Sequence, residues 1–190
     1  MTDIEILEIL QQILDKIHDQ KNGIFRKINL EHRDDIIKQI ATIKNIPIKD
    51  VRFNVSGREI YEQKLGDLCS CTGMAKVTLY LGHIMGLDMR AVITTDITDL
   101  DNGRSNNGHV VPAVKMSDGT YHIFEPRLKN VNAAGFQKML SQSVEIGKNV
   151  FHILNNIKNK PYEIVDIIDT ATLENIKTVR DIKKISGRKI

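Results

Sequence analysis

The segment from Thr72 to Met85 consists mostly of apolar and small residues. Apolar side chains recur in it at helical spacing, and small residues together with Leu79 occupy another side, which predicts an α-helix buried on nearly all faces. Gly86 follows at the position of a left-handed C-terminal cap, and Met89 to Thr95 has the composition of a β-strand. A buried helix that leads into a strand indicates an α+β fold, with the helix packed on a sheet.

Two further strands are expected in the middle of the chain. Gly108 to Met116 and Thr120 to Pro126 predict a hairpin, joined by the turn from Ser117 to Gly119. The stretch from Asp96 to Gly108 in front of it is dominated by Asp, Asn, Thr, Gly and Ser, which predicts a long polar loop. The hairpin makes the expected sheet antiparallel.

The type of turn decides which side chains of this hairpin share a face. A three-residue turn with Gly119 as its left-handed residue makes His109 and Glu125 diagonal neighbours on one face, about 7 to 8 Å apart. A two-residue turn at Asp118-Gly119 puts Glu125 on the opposite face. Cooperation between His109 and Glu125 is therefore predicted only for the three-residue turn.

The N-terminal part of the chain predicts two amphipathic helices. Thr2 and Glu5 have the spacing of a capping box, and an apolar stripe then continues to about His18. A second apolar stripe follows, and Pro47 ends it; its members are Leu30, Ile36, Ile37, Ile40 and Ile43. We expect residues 1–47 to form an N-terminal helical extension and residues 48–190 to form the main domain, which contains the buried helix and the sheet. A short strand at Val51 to Val55 and a turn at Ser56-Gly57 are expected after this extension.

Composition and sequence pattern argue against several classes of partner. A net charge of +3 and an aromatic content of 5% argue against a nucleic-acid-binding surface. No stretch of about 18 uninterrupted apolar residues occurs, so no membrane partner is expected. Met1 to Glu5 does not have the pattern of a cleavable signal peptide, which predicts a protein that is cytoplasmic or is exported without such a signal. No cofactor is expected.

Cys71 lies at the start of the predicted buried helix, and His109 opens a strand directly after the polar loop. A thiol becomes a useful nucleophile when a helix N-terminus and a neighbouring imidazole favour its thiolate. Glu125, at the end of the partner strand, can orient the imidazole. These three residues are candidates for a catalytic triad.

The same residues lie in an ordered set of motifs. They are Cys71-x-x-x-Ala75, Gly86-Leu87-x-x-Arg90, Gly108-His109, and Asp118-Gly119-x-Tyr121-x-x-Phe124-Glu125-Pro126. The set covers about residues 66–127 and resembles the transglutaminase-like superfamily of papain-like enzymes. The resemblance implies a papain-like core. It also favours Cys71 over Cys69 as nucleophile, because the family's cysteine has the spacing to the helix-ending glycine that Cys71 has to Gly86.

Two features depart from the family pattern. Glu125 stands where the family usually has Asp, and Val110-Val111 stands where an aromatic residue commonly follows the histidine region. The resemblance permits a protease, a glutamine deamidase and a transglutaminase. We favour a cysteine-dependent hydrolase that acts on amide bonds of a protein or peptide substrate through a thioester acyl-enzyme, as a protease or a glutamine deamidase, because water needs no second binding site. The alternatives are a transglutaminase-type acyl transferase and a catalytically inactive protein-binding module. Gln63 is a candidate for the second oxyanion donor, beside the backbone N–H of Cys71.

A zinc site is the competing interpretation of the two cysteines. Cys69 and Cys71 with His83 or His109 have the ligand types that zinc favours. The chain has no second cysteine pair, so we expect no metal. His83 and His152 are interpreted as packing residues, and His122 is given no role because it falls on the hairpin face opposite His109.

Overall fold

A computed structural model of the chain describes residues 1–18, 33–66, 70–96, 108–125, 133–151 and 161–185. The helices in these ranges are α1 (Asp3–His18), α2 (Arg33–Lys44), α3 (Val51–Asn54), α4 (Gly57–Glu62), α5 (Cys71–Ile84), α6 (Ala133–Leu140), α7 (Thr170–Glu174) and α8 (Val179–Ile185). The strands are β1 (Met89–Asp96), β2 (Gly108–Lys115), β3 (Tyr121–Ile123), β4 (Asn149–Phe151) and β5 (Pro161–Ile168).

The strands of the described residues form one antiparallel sheet in the order β3-β2-β1-β5-β4. β1 is the central strand, and its register against β5 shifts between Ile93 and Thr94. Helices pack against this sheet around a shared hydrophobic core. The predicted α+β class with an antiparallel sheet is confirmed.

The central helix α5 is buried along most of its length, as its composition predicts. It ends with Gly86 at a φ of +85°, a backbone conformation that glycine adopts without steric cost. A Cβ atom at Gly82 would collide with the side chain of Met89, so the absence of a side chain there lets α5 approach β1 closely. The predicted helix, cap and strand are therefore confirmed.

The first helix begins with the predicted capping box. The Thr2 N–H donates to Glu5 Oε2 at 2.7 Å, and the Glu5 N–H donates to Thr2 Oγ1 at 3.3 Å. Leucines of α1 are wholly buried in the same core as α5 and the sheet; they are Leu7, Leu10 and Leu14. The division into residues 1–47 and 48–190 stays a prediction.

Helix α2 contributes part of its predicted stripe to the core. Ile36, Ile37 and Ile40 are partly buried against it, whereas Ile43 is 83% exposed. Leu30 lies outside the described residues. The predicted helix is therefore present, and Ile43 lies on its exposed side.

The strand expected at Val51 to Val55 is wrong. A 3-10 turn at Ile48–Asp50 runs directly into α3, and only Val55 is extended, with φ −81° and ψ 131°. Val51, Phe53 and Val55 are buried, so alternate residues point inward even though the segment is mostly helical. Apolar residues at alternate positions are typical of a strand, but a helix of a single turn is too short to show the helical period of 3.6 residues. The alternating pattern of Val51 to Val55 was therefore misleading.

Ser56-Gly57 is also not a simple turn, because Ser56 is the N-cap of α4. The Glu59 N–H donates to Ser56 Oγ at 3.1 Å, and the Ser56 N–H donates to Glu59 Oε2 at 2.7 Å. The spacing of Ser56 and Glu59 is that of a capping box, the signal that identified the start of α1.

Lys76 is a wholly buried lysine in the middle of α5. Its ammonium donates to the carbonyl oxygen of Phe53 at 2.7 Å and to that of Ile176 at 3.0 Å. These contacts connect α5 with α3 and with the segment that follows α7. Burial of the ammonium lowers the pKa of Lys76 from 10.5 to about 8, although the charge of Glu174 acts in the opposite direction.

We expect Lys76→Met to change how stability depends on pH. The native pKa of Lys76 lies below its unfolded value, so the unfolded chain binds more protons between about pH 8 and 10.5, and wild-type stability gains from this group as the pH rises. The free energy of unfolding of wild type relative to Lys76→Met should increase by about 2 kcal/mol from pH 7 to pH 10. Urea denaturation of both proteins measures this difference, and an unchanged difference at the two pH values would contradict it.

Candidate active site

Cys71 is the first residue of α5, and Ser70 is its N-cap, with extended backbone at φ −80° and ψ 179°. The Ser70 side chain makes no capping hydrogen bond, while its carbonyl oxygen accepts from the Met74 N–H at 2.9 Å. Cys71 forms no disulfide within the described residues, and its side chain is partly exposed. A helix N-terminus favours negative charge, so this position favours a thiolate.

The β2–β3 hairpin has the register of the three-residue turn. Val114 pairs with His122 and Lys115 with Tyr121, and the Met116 N–H donates to the Thr120 carbonyl at 2.8 Å. Gly119 has a φ of +83°, the left-handed conformation that this turn requires. The register prediction is confirmed, and the alternative two-residue turn is excluded.

This register brings His109 and Glu125 into direct contact. His109 Nε2 lies 3.2 Å from Glu125 Oε2, and the carboxylate side chain is only 3% exposed. The His109 side chain, 17% exposed, also hydrogen-bonds the side chain of Cys71. The sulfur at the start of α5, the imidazole on β2 and the carboxylate that follows β3 therefore meet at one place.

The electrostatics of this contact favour a charged imidazole. Burial alone lowers the pKa of His109, but the hydrogen bonds and negative charges of Cys71 and Glu125 outweigh it and raise this pKa from 6.5 to about 10. An imidazolium between a thiolate and a carboxylate is the charge arrangement of an activated cysteine nucleophile.

Two residues that sequence patterns did not identify lie beside His109. Tyr162 of β5 is nearly buried, and its ring centroid lies 6.4 Å from that of His109, with the rings tilted by 56°. Thr94 of β1 pairs with His109 and donates through Oγ1 to the His109 carbonyl at 3.0 Å. Thr94 lies beside His109 because β1 pairs with β2, and Tyr162 lies near it because β5 pairs with the other side of β1. No local sequence motif predicts such pairing.

Gln63 is not part of the contacts that join the triad residues. It is the C-cap residue of α4, and its side chain is exposed. Its role as second oxyanion donor stays a prediction.

His83 does not share a site with Cys71. It lies near the other end of α5, about 18 Å along the helix axis from Cys71. Its ring contacts the Met89 carbonyl at 3.2 Å and Thr170 Oγ1 at 3.4 Å. Ligands lie about 2 Å from zinc, so Cys71 and His83 cannot bind one zinc ion. The alternative zinc site that included both residues is therefore wrong.

His122 has a structural contact on the face opposite His109. Its Nδ1 lies 2.6 Å from the Leu140 carbonyl at the end of α6. Among the described residues, no group of three or more His, Cys, Asp and Glu side chains could hold a metal ion. Besides Leu30, predicted residues or segments that lie outside the described ranges include Cys69, 97–107, Pro126 and His152.

None of the described helices is both long and apolar enough to cross a membrane. No family model, curated protein or solved structure matches this chain. A functional assignment therefore depends on the arrangement of side chains around Cys71.

We expect the alkylation rate of Cys71 to report its contact with His109. In a Cys69→Ser background, where Cys71 is the remaining cysteine, iodoacetamide should react rapidly down to about pH 5, because the imidazolium favours the thiolate. In the same background, His109→Ala should shift the profile toward an ordinary thiol at about pH 8.5. Glu125→Gln should give an intermediate profile, because the imidazolium loses one of its two anionic partners. An ordinary thiol profile with His109 intact would contradict the ion pair.

Proposed function

We propose that this chain is a cysteine-dependent hydrolase that acts on protein amide bonds, as a protease or a glutamine deamidase. The observation that carries the proposal is the contact of His109 with both Cys71 and Glu125. The ordered motifs around these residues support a place in the transglutaminase-like superfamily. A buried helix with the cysteine at its N-terminus, packed against an antiparallel sheet, is compatible with a papain-like core.

In the first half of the proposed reaction, the Cys71 thiolate attacks the carbonyl carbon of the amide. The carbonyl π electrons move to oxygen and give a tetrahedral oxyanion, which the backbone N–H of Cys71 stabilises at the helix N-terminus. The His109 imidazolium donates its proton to the departing nitrogen as the carbon–nitrogen bond breaks. The products are an amine or ammonia and a thioester on Cys71.

In the second half, His109 is neutral and accepts a proton from water as the water oxygen attacks the thioester carbonyl. The carbon–sulfur bond then breaks and releases a carboxylic acid and the Cys71 thiolate, which restores the ion pair. Glu125 keeps the imidazole oriented in both halves, because its carboxylate accepts a hydrogen bond from the Nε2–H of His109.

Water is the proposed acceptor because it needs no second binding site, whereas a transglutaminase must also bind an amine. A catalytically inactive binding module has no need of a nearly buried carboxylate hydrogen-bonded to an imidazole that contacts a thiol. Such an arrangement is costly to bury unless its partners are retained. These arguments favour a hydrolase over the other two interpretations.

We expect covalent labelling by a thiol-reactive amide probe and turnover of substrate to depend on the same residues. Cys71→Ser should abolish covalent labelling, and Cys69→Ser, the matched control, should retain it. His109→Ala should reduce turnover by at least about 10³-fold, because the imidazole that donates and accepts protons in the two halves is lost. It should also lower the melting temperature, because the nearly buried Glu125 carboxylate loses its partner. Glu125→Gln should keep part of the activity, because the base remains.

The products identify the reaction when candidate proteins are incubated with the chain and analysed by mass spectrometry. Backbone cleavage identifies a protease, conversion of glutamine to glutamate identifies a deamidase, and cross-linked peptides identify a transglutaminase. Wild-type turnover by His109→Ala, or labelling that persists in Cys71→Ser, would refute the proposed assignment of roles. Stoichiometric zinc in the purified protein would favour a metal site instead.

A further inference from the structure

Glu125 follows the edge strand β3, and its backbone N–H faces away from the sheet. The Phe124 N–H donates to the Pro112 carbonyl at 2.9 Å, so the neighbouring N–H of Glu125 points away from β2. β3 is the end of the sheet order, so no strand of the described residues pairs with that side. A buried N–H at this position needs another acceptor.

Residues 142–144 cover most of the outer edge of β3. The Ile123 N–H donates to the Gln142 carbonyl at 2.9 Å, and the Val144 N–H donates to the Tyr121 carbonyl at 2.7 Å. At Glu125 the acceptor is instead a side chain. Its N–H donates to the thioether sulfur of Met139 in α6, at 2.9 Å.

Helix α6 is attached to β3 on both sides of this contact. The rings of Phe136 and Phe124 meet edge to face, with centroids 6.4 Å apart and planes at 87°. His122 donates through Nδ1 to the Leu140 carbonyl at 2.6 Å, because a carbonyl oxygen can only accept. Met139 itself is 1% exposed, so packing restricts the position of its sulfur.

We propose that Met139 is a positioning residue, whose sulfur fixes the backbone of Glu125 and thereby holds the carboxylate against His109. The His109–Glu125 distance of 3.2 Å lies at the long end of the hydrogen-bond range, so a small displacement of the Glu125 backbone breaks the bond. A thioether is a weak acceptor, but here it holds the backbone N–H of the residue that bears the carboxylate. This inference rests on the proposed hydrolase function.

The substitution Met139→Leu removes the acceptor and nearly preserves the volume of the side chain. Met89→Leu is the matched control, because Met89 is equally buried but lies at the far end of β1, about 17 Å from Thr94, the partner of His109. We expect Met139→Leu to lower kcat by about three- to ten-fold with KM nearly unchanged. The pH profile of Cys71 alkylation should shift toward that of Glu125→Gln, and Met89→Leu should leave kcat and the profile unchanged.

Amide hydrogen exchange of Glu125 tests the contact without any need for turnover. Exchange should be faster in Met139→Leu than in wild type, and unchanged in Met89→Leu. The inference would be overturned if Met139→Leu had the kcat, the alkylation profile and the Glu125 exchange rate of wild type. It would also be overturned if Met139→Leu and Met89→Leu lost kcat equally. If wild type itself has no turnover, the proposed function fails, while the exchange comparison still decides the role of Met139.

Discussion

The site depends on the register of one hairpin. Gly119 adopts a positive φ, and the turn it forms sets which residues of β2 and β3 lie opposite each other. Because side chains alternate between the two faces of a strand, a shift by one residue would turn Glu125 away from His109. The hydrogen bond between a nearly buried carboxylate and an imidazole thus depends on a turn at the other end of the hairpin.

The elements that hold the three reactive groups are fixed by the core. Cys71 begins helix α5, whose next eight residues are all buried, and His109 lies in β2 directly before five consecutive buried residues. Moving Cys71 or His109 would require movement of the packed helix α5 or of the inner strand β2, which is costly. Preorganisation of this kind supports the proposed reaction, because groups already in position need little rearrangement.

The most predictable elements were those whose local pattern agrees with their burial. Residues 72–85 predicted α5, and Gly119 with the flanking strands predicted the hairpin and the contact of His109 with Glu125. Val51 to Val55 was misassigned because burial of alternate residues in a short helix imitates a strand. Tyr162 and Met139 could not be predicted, since they reach the site through the β1–β5 pairing and the packing of α6, which are long-range contacts without a local signature.

The titration of His109 in the intact protein, followed by NMR of its imidazole resonances, tests whether its ring lies between two anionic groups. The arrangement of thiolate, imidazole and carboxylate predicts that the imidazolium persists through neutral pH and loses its proton at about pH 10. Replacing Cys71 with alanine should lower that midpoint, because one of the two anionic partners is removed. A wild-type midpoint near the ordinary value of about 6.5, unchanged by that substitution, would contradict the account.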